Sequence, residues 1–152
     1  MAIEYRTAAA EDIERMVDSR LETLRAVNHL AEDYTFSEDY IAASRKYFLE
    51  GDQITVLALD GEETVGCASM CFLHMMPTFS HPSGYRGHLM NVYTRPDHRR
   101  QGIGREMVTR LIRAAWDRGA TEISLDATKD GRPLYRTLGF TDSDEYMVLS
   151  RP

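Results

Sequence analysis

The chain has 152 residues, 43% hydrophobic and 28% charged, with a formal net charge of −6. That length suits one domain with its own core, and the composition excludes a disordered tail or a fibrous repeat. No apolar run approaches the ~18 residues of a membrane span, and the N-terminal segment lacks a signal-peptide core. The two cysteines, Cys67 and Cys71, are too few for a disulfide framework. The expectation is one cytoplasmic domain over residues 1–152 with no membrane partner.

The charge is unevenly spread. Residues 1–64 carry −9, residues 86–118 carry +5 through eight arginines, and residues 119–152 carry −2. A basic island in an acidic chain points to a bound anion rather than to nucleic acid, which more often meets a wholly basic domain. Arg110, Arg113 and Arg118 fit a solvated helix face.

In chain order, Ile3–Arg6 reads as an edge strand, and Ala10–Val27 has the apolar spacing of a helix. After a break at Asn28–Phe36, Ser37 offers a cap for a helix over Glu38–Leu49, closed by Gly51. Ile54–Leu59 and Thr64–Leu73 flank Asp60-Gly61 as a hairpin, and Met75–Gly87, with two prolines and two glycines, reads as a loop. His88–Thr94 is a strand ended by Pro96. Gly102–Trp116 is the most periodic helix, stopped by Gly119. Glu122–Leu125 reads as a strand, Pro133–Leu138 as a helix stopped by Gly139, and Tyr146–Leu149 as a last strand. This order predicts a mixed α/β (α+β) fold, with helices flanking a mostly antiparallel sheet.

The chemistry concentrates where the strand ending at Thr94 turns through Arg99-Arg100-Gln101-Gly102-Ile103-Gly104 into the long helix. Glycines let backbone approach a ligand, and first-turn N–H groups with the helix dipole suit a phosphate. A phosphate cradle and a plain strand-to-helix turn both fit these residues. The pattern is neither a P-loop, lacking Gly-Lys-Ser/Thr, nor a dinucleotide fingerprint, lacking the third glycine.

Arg99-x-x-Gly102-x-Gly104 resembles the acyl-CoA signature of the GNAT superfamily of N-acetyltransferases, and Leu134-Tyr-Arg-Thr-Leu-Gly-Phe140 resembles its second signature. Asn91-Val-Tyr-Thr-Arg-Pro resembles the family's preceding strand, so the likeness covers about residues 88–140. The resemblance implies transfer of an acetyl group from acetyl-CoA, as co-substrate, to an amine by direct attack, with no metal. It implies that the amides of Val92 and Thr94, flanking Tyr93, hold the pantetheine arm. It also implies that Arg99, Arg100, Gln101, Gly102, Ile103, Gly104 and Arg105 cradle the diphosphate, and that the Tyr135 hydroxyl lies near the sulfur. Where the family often has a CoA-contacting asparagine, this chain has Thr128. A non-catalytic acyl-CoA sensor is the alternative.

Acceptor amines are protonated at neutral pH, with a pKa near ~10.4, so a proton acceptor is needed. His88 falls where some members of the family carry a catalytic glutamate, and an imidazole of ordinary pKa ~6.5 is competent. A surface histidine at a strand start fits equally, and Asn91 and Asp126 are lesser candidates. The acceptor, a small-molecule or peptide amine, is expected against the helices of about residues 10–50 and the Met75–Gly87 loop. Glu32, Asp33, Glu38 and Asp39 would attract a cation there or simply start a helix. Phe72, Met75, Met76 and Phe79 would form an apolar wall or pack the loop down. Cys67 and Cys71 read as buried small side chains rather than nucleophiles. The resemblance allows a homodimer, although no interface is legible.

Overall fold

The computed structural model describes residues 2–152. Five strands, β1 (Glu4–Thr7), β2 (Gln53–Asp60), β3 (Glu63–His74), β4 (Tyr85–Thr94) and β5 (Ile123–Leu125), form one sheet in sequence order. The first three pairings are antiparallel, and β4 pairs with β5 in parallel. The helices are α1 (Ile13–Val27), α2 (Glu38–Glu50), α3 (Ile103–Asp117) and the short α4 (Arg132–Thr137). This is the mixed α/β sheet with flanking helices that the sequence predicts.

Strand alternation divides the buried residues between two faces. Val56, Ala58, Met70 and Leu89 form one cluster with Ile103, Met107, Val108 and Leu111, the stripe of α3. Leu57, Leu59 and Cys67 are buried outside that cluster, as are Met16, Val17 and Leu21 of α1. Burial of an aliphatic side chain contributes roughly 1.5–3 kcal/mol, so α3 is anchored by its apolar stripe and carries the turn before it as a rigid mount. Ser37 caps α2 by accepting the Tyr40 N–H at 3.1 Å. Glu38 and Asp39 occupy the first turn of α2, where the helix dipole favours acids.

Two expectations are corrected. The Met75–Gly87 loop is shorter than expected, because β4 begins at Tyr85; Gly87 N donates to Glu122 O at 2.9 Å, extending the sheet into that segment. Tyr146–Leu149 is no strand, and its side chains are exposed. β-propensity there finds no neighbouring strand to supply a ladder, and propensity alone does not hold a strand. No helix among the described residues is long and apolar enough to cross a membrane.

Candidate active site

The site begins with a defect in β4. Between the pairs Cys67↔Tyr93 and Ser69↔Met90, β3 advances two residues while β4 advances three. The extra residue makes a bulge, and Asn91 takes it up at φ 61, a left-handed conformation asparagine tolerates better than most residues. Side chains brace the bulge: Arg20 Nη1 donates to Asn91 Oδ1 at 3.2 Å, and Cys67 Sγ lies 3.4 Å from the Asn91 carbonyl.

The pairing of β4 with β5 ends before this bulge. The β4–β5 ladder covers only Gly87–Leu89 against Ile123–Leu125. Beyond it, Arg95 N donates to Val65 O on β3 at 2.8 Å, so alternation turns the Val92 and Thr94 N–H groups away from β3. Those two amides are where a ligand can add as a pseudo-strand.

After a 3-10 turn at Pro96–His98, the chain passes through Arg99–Gly102 into α3. Arg100 (φ 66) and Gly102 (φ 79) are both left-handed, a conformation that recurs in backbone anion-binding concavities. Gly102 caps α3 without a side chain, so no side-chain oxygen of the cap occupies the first-turn amides. A Cβ on Gly104 would stand 3.7 Å from Leu134 and 3.9 Å from the Thr94 hydroxyl, so α3 approaches both α4 and the end of β4 here. Arg99 Nε donates to the Thr94 carbonyl at 2.9 Å, and its guanidinium lies 5.6 Å from the Tyr93 ring centroid. Arg100 and Gln101 are exposed, Ile103 is a core side chain, and Arg105 donates to Thr137 of α4 at 2.9 Å.

Tyr135 is half-buried on α4, packed edge-on to Phe140 with centroids 5.8 Å apart. Burial holds its phenol above the usual value, so it stays protonated and able to donate at neutral pH. Thr128 is engaged locally: its hydroxyl accepts the Gly131 N–H at 3.1 Å.

His88 is an interior residue of β4 rather than a surface side chain at its start. It pairs with Cys71 on β3 and Ser124 on β5. Nδ1 lies 2.7 Å from Ser124 Oγ, and Nε2 lies 3.6 Å from Asp126 Oδ2, an ion-pair distance too long for a hydrogen bond. Tyr146 donates to the other oxygen of Asp126 at 3.1 Å. The structure thus brings His88 and Asp126 together, with Asn91 three residues along β4. Sequence reasoning missed Ser124 and Arg20. Ser124 is the polar residue inside Ile123–Leu125, and Arg20 is a charged residue one helical turn from buried Met16.

A cleft of ≈ 550 Å³ opens between α1 and the end of β4, lined among others by Glu22, Leu30, Glu32, Tyr93, Arg95 and Asp97. A hollow of ≈ 230 Å³ lies between α1 and α2, bordered by Arg20, Tyr40, Ser44 and Tyr47. Met76 and Phe79 form neither an apolar wall nor a packed-down loop, since both are exposed, while Phe72 stacks on Tyr85.

Comparison with known proteins agrees with this geometry. The chain is 29% identical over 85 residues to glucosamine 6-phosphate N-acetyltransferase of Trypanosoma brucei brucei, covering 56% of each chain. It is also 29% identical over 93 residues to thialysine N-epsilon-acetyltransferase of Bos taurus, covering 59% of this chain and 54% of the relative. The chain therefore spans little more than half the length of these relatives. Among solved structures, a predicted acetyltransferase from Clostridium acetobutylicum, determined with acetyl-CoA, superimposes with a TM-score of 0.85. That pair is 30% identical over 98% of this chain and 96% of the other. Residues 14–140 match the acetyltransferase (GNAT) family, and it is to this family of acyl-transferring enzymes that the chain belongs.

Proposed function

We propose that the protein moves the acetyl group of acetyl-CoA to a primary amine of a small-molecule or peptide acceptor, by direct attack in a ternary complex. The observation that carries this reading is the pair of β4 amides, Val92 and Thr94, turned away from β3 beyond the end of the β4–β5 pairing at Leu89, and followed by a turn into α3 that no side chain caps. That path offers amides for an extended polar arm and then a concentration of N–H groups and arginines for a diphosphate. In this reading Val92 and Thr94 hold the pantetheine arm alongside Tyr93, and residues 99–105 receive the diphosphate. Thr128 accepts the Gly131 N–H, which leaves its own O–H to donate to the co-substrate where the family often has an asparagine. The relatives named for glucosamine 6-phosphate and thialysine support a small-molecule amine.

The amine nitrogen forms a bond to the thioester carbon as the C–S bond breaks. The proton lost by nitrogen goes to His88 or to water, and the departing thiolate takes the Tyr135 proton. A strand amide near Val92 polarises the carbonyl, and holding both reactants in line supplies much of the acceleration. His88 has the support a base needs, since Ser124 fixes one ring nitrogen and leaves the other facing Asp126. The larger cleft sets Glu22, Glu32 and Asp97 against Arg25 and Arg95, with Glu22 already paired to Arg95, so its charge alone does not select the acceptor.

The test is a thermal shift with acetyl-CoA followed by a thiol-release screen of amines. Acetyl-CoA at 100-fold over its Kd stabilises a binding protein by ~2.7 kcal/mol. No shift at saturation overturns the co-substrate, and binding without thiol release across the amine classes overturns the enzyme reading in favour of a sensor.

A further inference from the structure

The residue just before the anion-binding turn is held between two carboxylates. His98 Nε2 lies 2.9 Å from Asp60 Oδ2 at the end of β2, and Nδ1 lies 2.8 Å from Asp97 Oδ1 in its own 3-10 turn. The imidazole side chain is only 15% exposed. A neutral imidazole has one donor and one acceptor, so it can donate to only one of these carboxylates; an imidazolium donates to both. Asp60 depends on it, because its other oxygen, Oδ1, is buried without a partner.

We propose that His98 is a positioning residue whose imidazolium pins the start of the Arg99–Gly104 turn to the β2–β3 hairpin, keeping that turn in the conformation that receives the diphosphate of acetyl-CoA. The proposal rests on the acyl-CoA reading above. Side chains tie the segment between β4 and α3 at three points, the last of them the Arg99 Nε bond to the Thr94 carbonyl at 2.9 Å. At the first, Arg95 grips Glu22 of α1 at 2.9 Å and also pairs with Glu63 of β3. His98 is the second, and no side-chain cap orders the chain between it and Ile103. The charged groups that act on His98 are Asp60 from β2 and Asp97 in its own turn; Arg95, Arg99 and Arg100 flank it along the connection, with Arg95 itself paired to Glu22 of α1 and Glu63 of β3.

Hydrogen bonds donated to Asp60 first, then to Asp97, hold the His98 pKa above the ordinary 6.5. The pin is therefore complete below the ordinary value and lost as pH rises through the folded one. Acetyl-CoA affinity should fall over the same interval.

The experiment measures acetyl-CoA Kd by calorimetry from pH ~7 to ~9.5, above the phosphate pKa near ~6. In parallel, NMR follows the imidazole resonance that His98→Asn removes. Wild type should weaken about tenfold across the His98 titration, a coupling of ordinary size. His98→Asn should bind about tenfold more weakly at pH ~7 and show no further change with pH. His98→Lys, a cation with pKa near ~10.4, should bind tightly through pH ~9.5; it decides the question if the asparagine variant fails to fold. Wild-type affinity that is flat across the His98 titration, or weak binding by folded His98→Lys, overturns the proposal. A wild type that binds no acetyl-CoA at any pH overturns the acyl-CoA reading itself, a separate and recognisable failure.

Discussion

Arg20 Nη1 donates to Asn91 Oδ1 at 3.2 Å, tying the middle of α1 to the residue that bends β4. Asn91 stands at φ 61, between the end of the β4–β5 pairing at Leu89 and the Val92 and Thr94 amides that turn away from β3. A β-branched residue is a poor occupant of that conformation, which costs an ordinary L-residue roughly 1–2 kcal/mol. Asn91→Val should relieve this by straightening β4, weakening acetyl-CoA binding about tenfold while Asn91→Gly binds as wild type. Calorimetric Kd values for the pair check it, and equal binding by both would remove the bulge from the site.

The Arg99–Gly104 turn has a comparable requirement at Gly102, φ 79. A side chain there would meet nothing within 4 Å, so strain rather than crowding penalises it. Gly102→Val should lose ~1–2 kcal/mol of stability and abolish the acetyl-CoA thermal shift. Gly102→Asn, which tolerates the left-handed region, should keep most of that shift. If Gly102→Val binds acetyl-CoA normally, the turn is not the diphosphate cradle.

The parts of the fold that were legible in the sequence are those coded by short-range pattern. The stripe from Ile103 to Ala115, the Asp60-Gly61 turn and the Ser37 cap each announce an element within a few residues. Arg99-x-x-Gly102-x-Gly104 located the turn before α3 because the left-handed cap at Gly102 is a local glycine requirement. The bulge at Asn91 was not legible, since it is a mismatch between two strands and exists only when their registers are compared. Arg20, Ser124 and Asp60 were missed for the same reason: each acts on a residue more than 30 positions away. Tyr146–Leu149 shows the converse error, strand propensity without a partner strand.

Tyr135 and His88 should separate cleanly in kinetics. On the proposed mechanism, Tyr135→Phe removes the proton for the departing sulfur but leaves the amides of β4 and α3 intact. Its kcat should fall by ~10²-fold or more with acetyl-CoA Kd unchanged. Burial raises the Tyr135 pKa, so the phenol remains a donor up to and beyond ~10, and any alkaline loss of rate from its ionisation lies above that value. His88→Ala should lower the rate at neutral pH, and Ser124→Ala should give a smaller loss by freeing the ring. A Tyr135→Phe enzyme with wild-type kcat would assign the sulfur's proton to water.

Direct attack requires that no cysteine carry the acetyl group between donor and acceptor. Cys67 is fully buried, and burial pushes its thiol up to about 11, which leaves almost no thiolate at pH ~8. Cys71 is half-buried beside Tyr47, and burial raises its thiol as well. Neither should react appreciably with iodoacetamide at pH ~8 in the folded protein, and both should react in denaturant. The double variant Cys67→Ala, Cys71→Ala should keep its kcat and lose no more than ~1–2 kcal/mol of stability. Mass spectrometry after incubation with acetyl-CoA alone should find no acetylated cysteine in wild type. An acetyl-cysteine that forms in the absence of amine and decays when amine is added would replace the ternary complex with a two-step exchange.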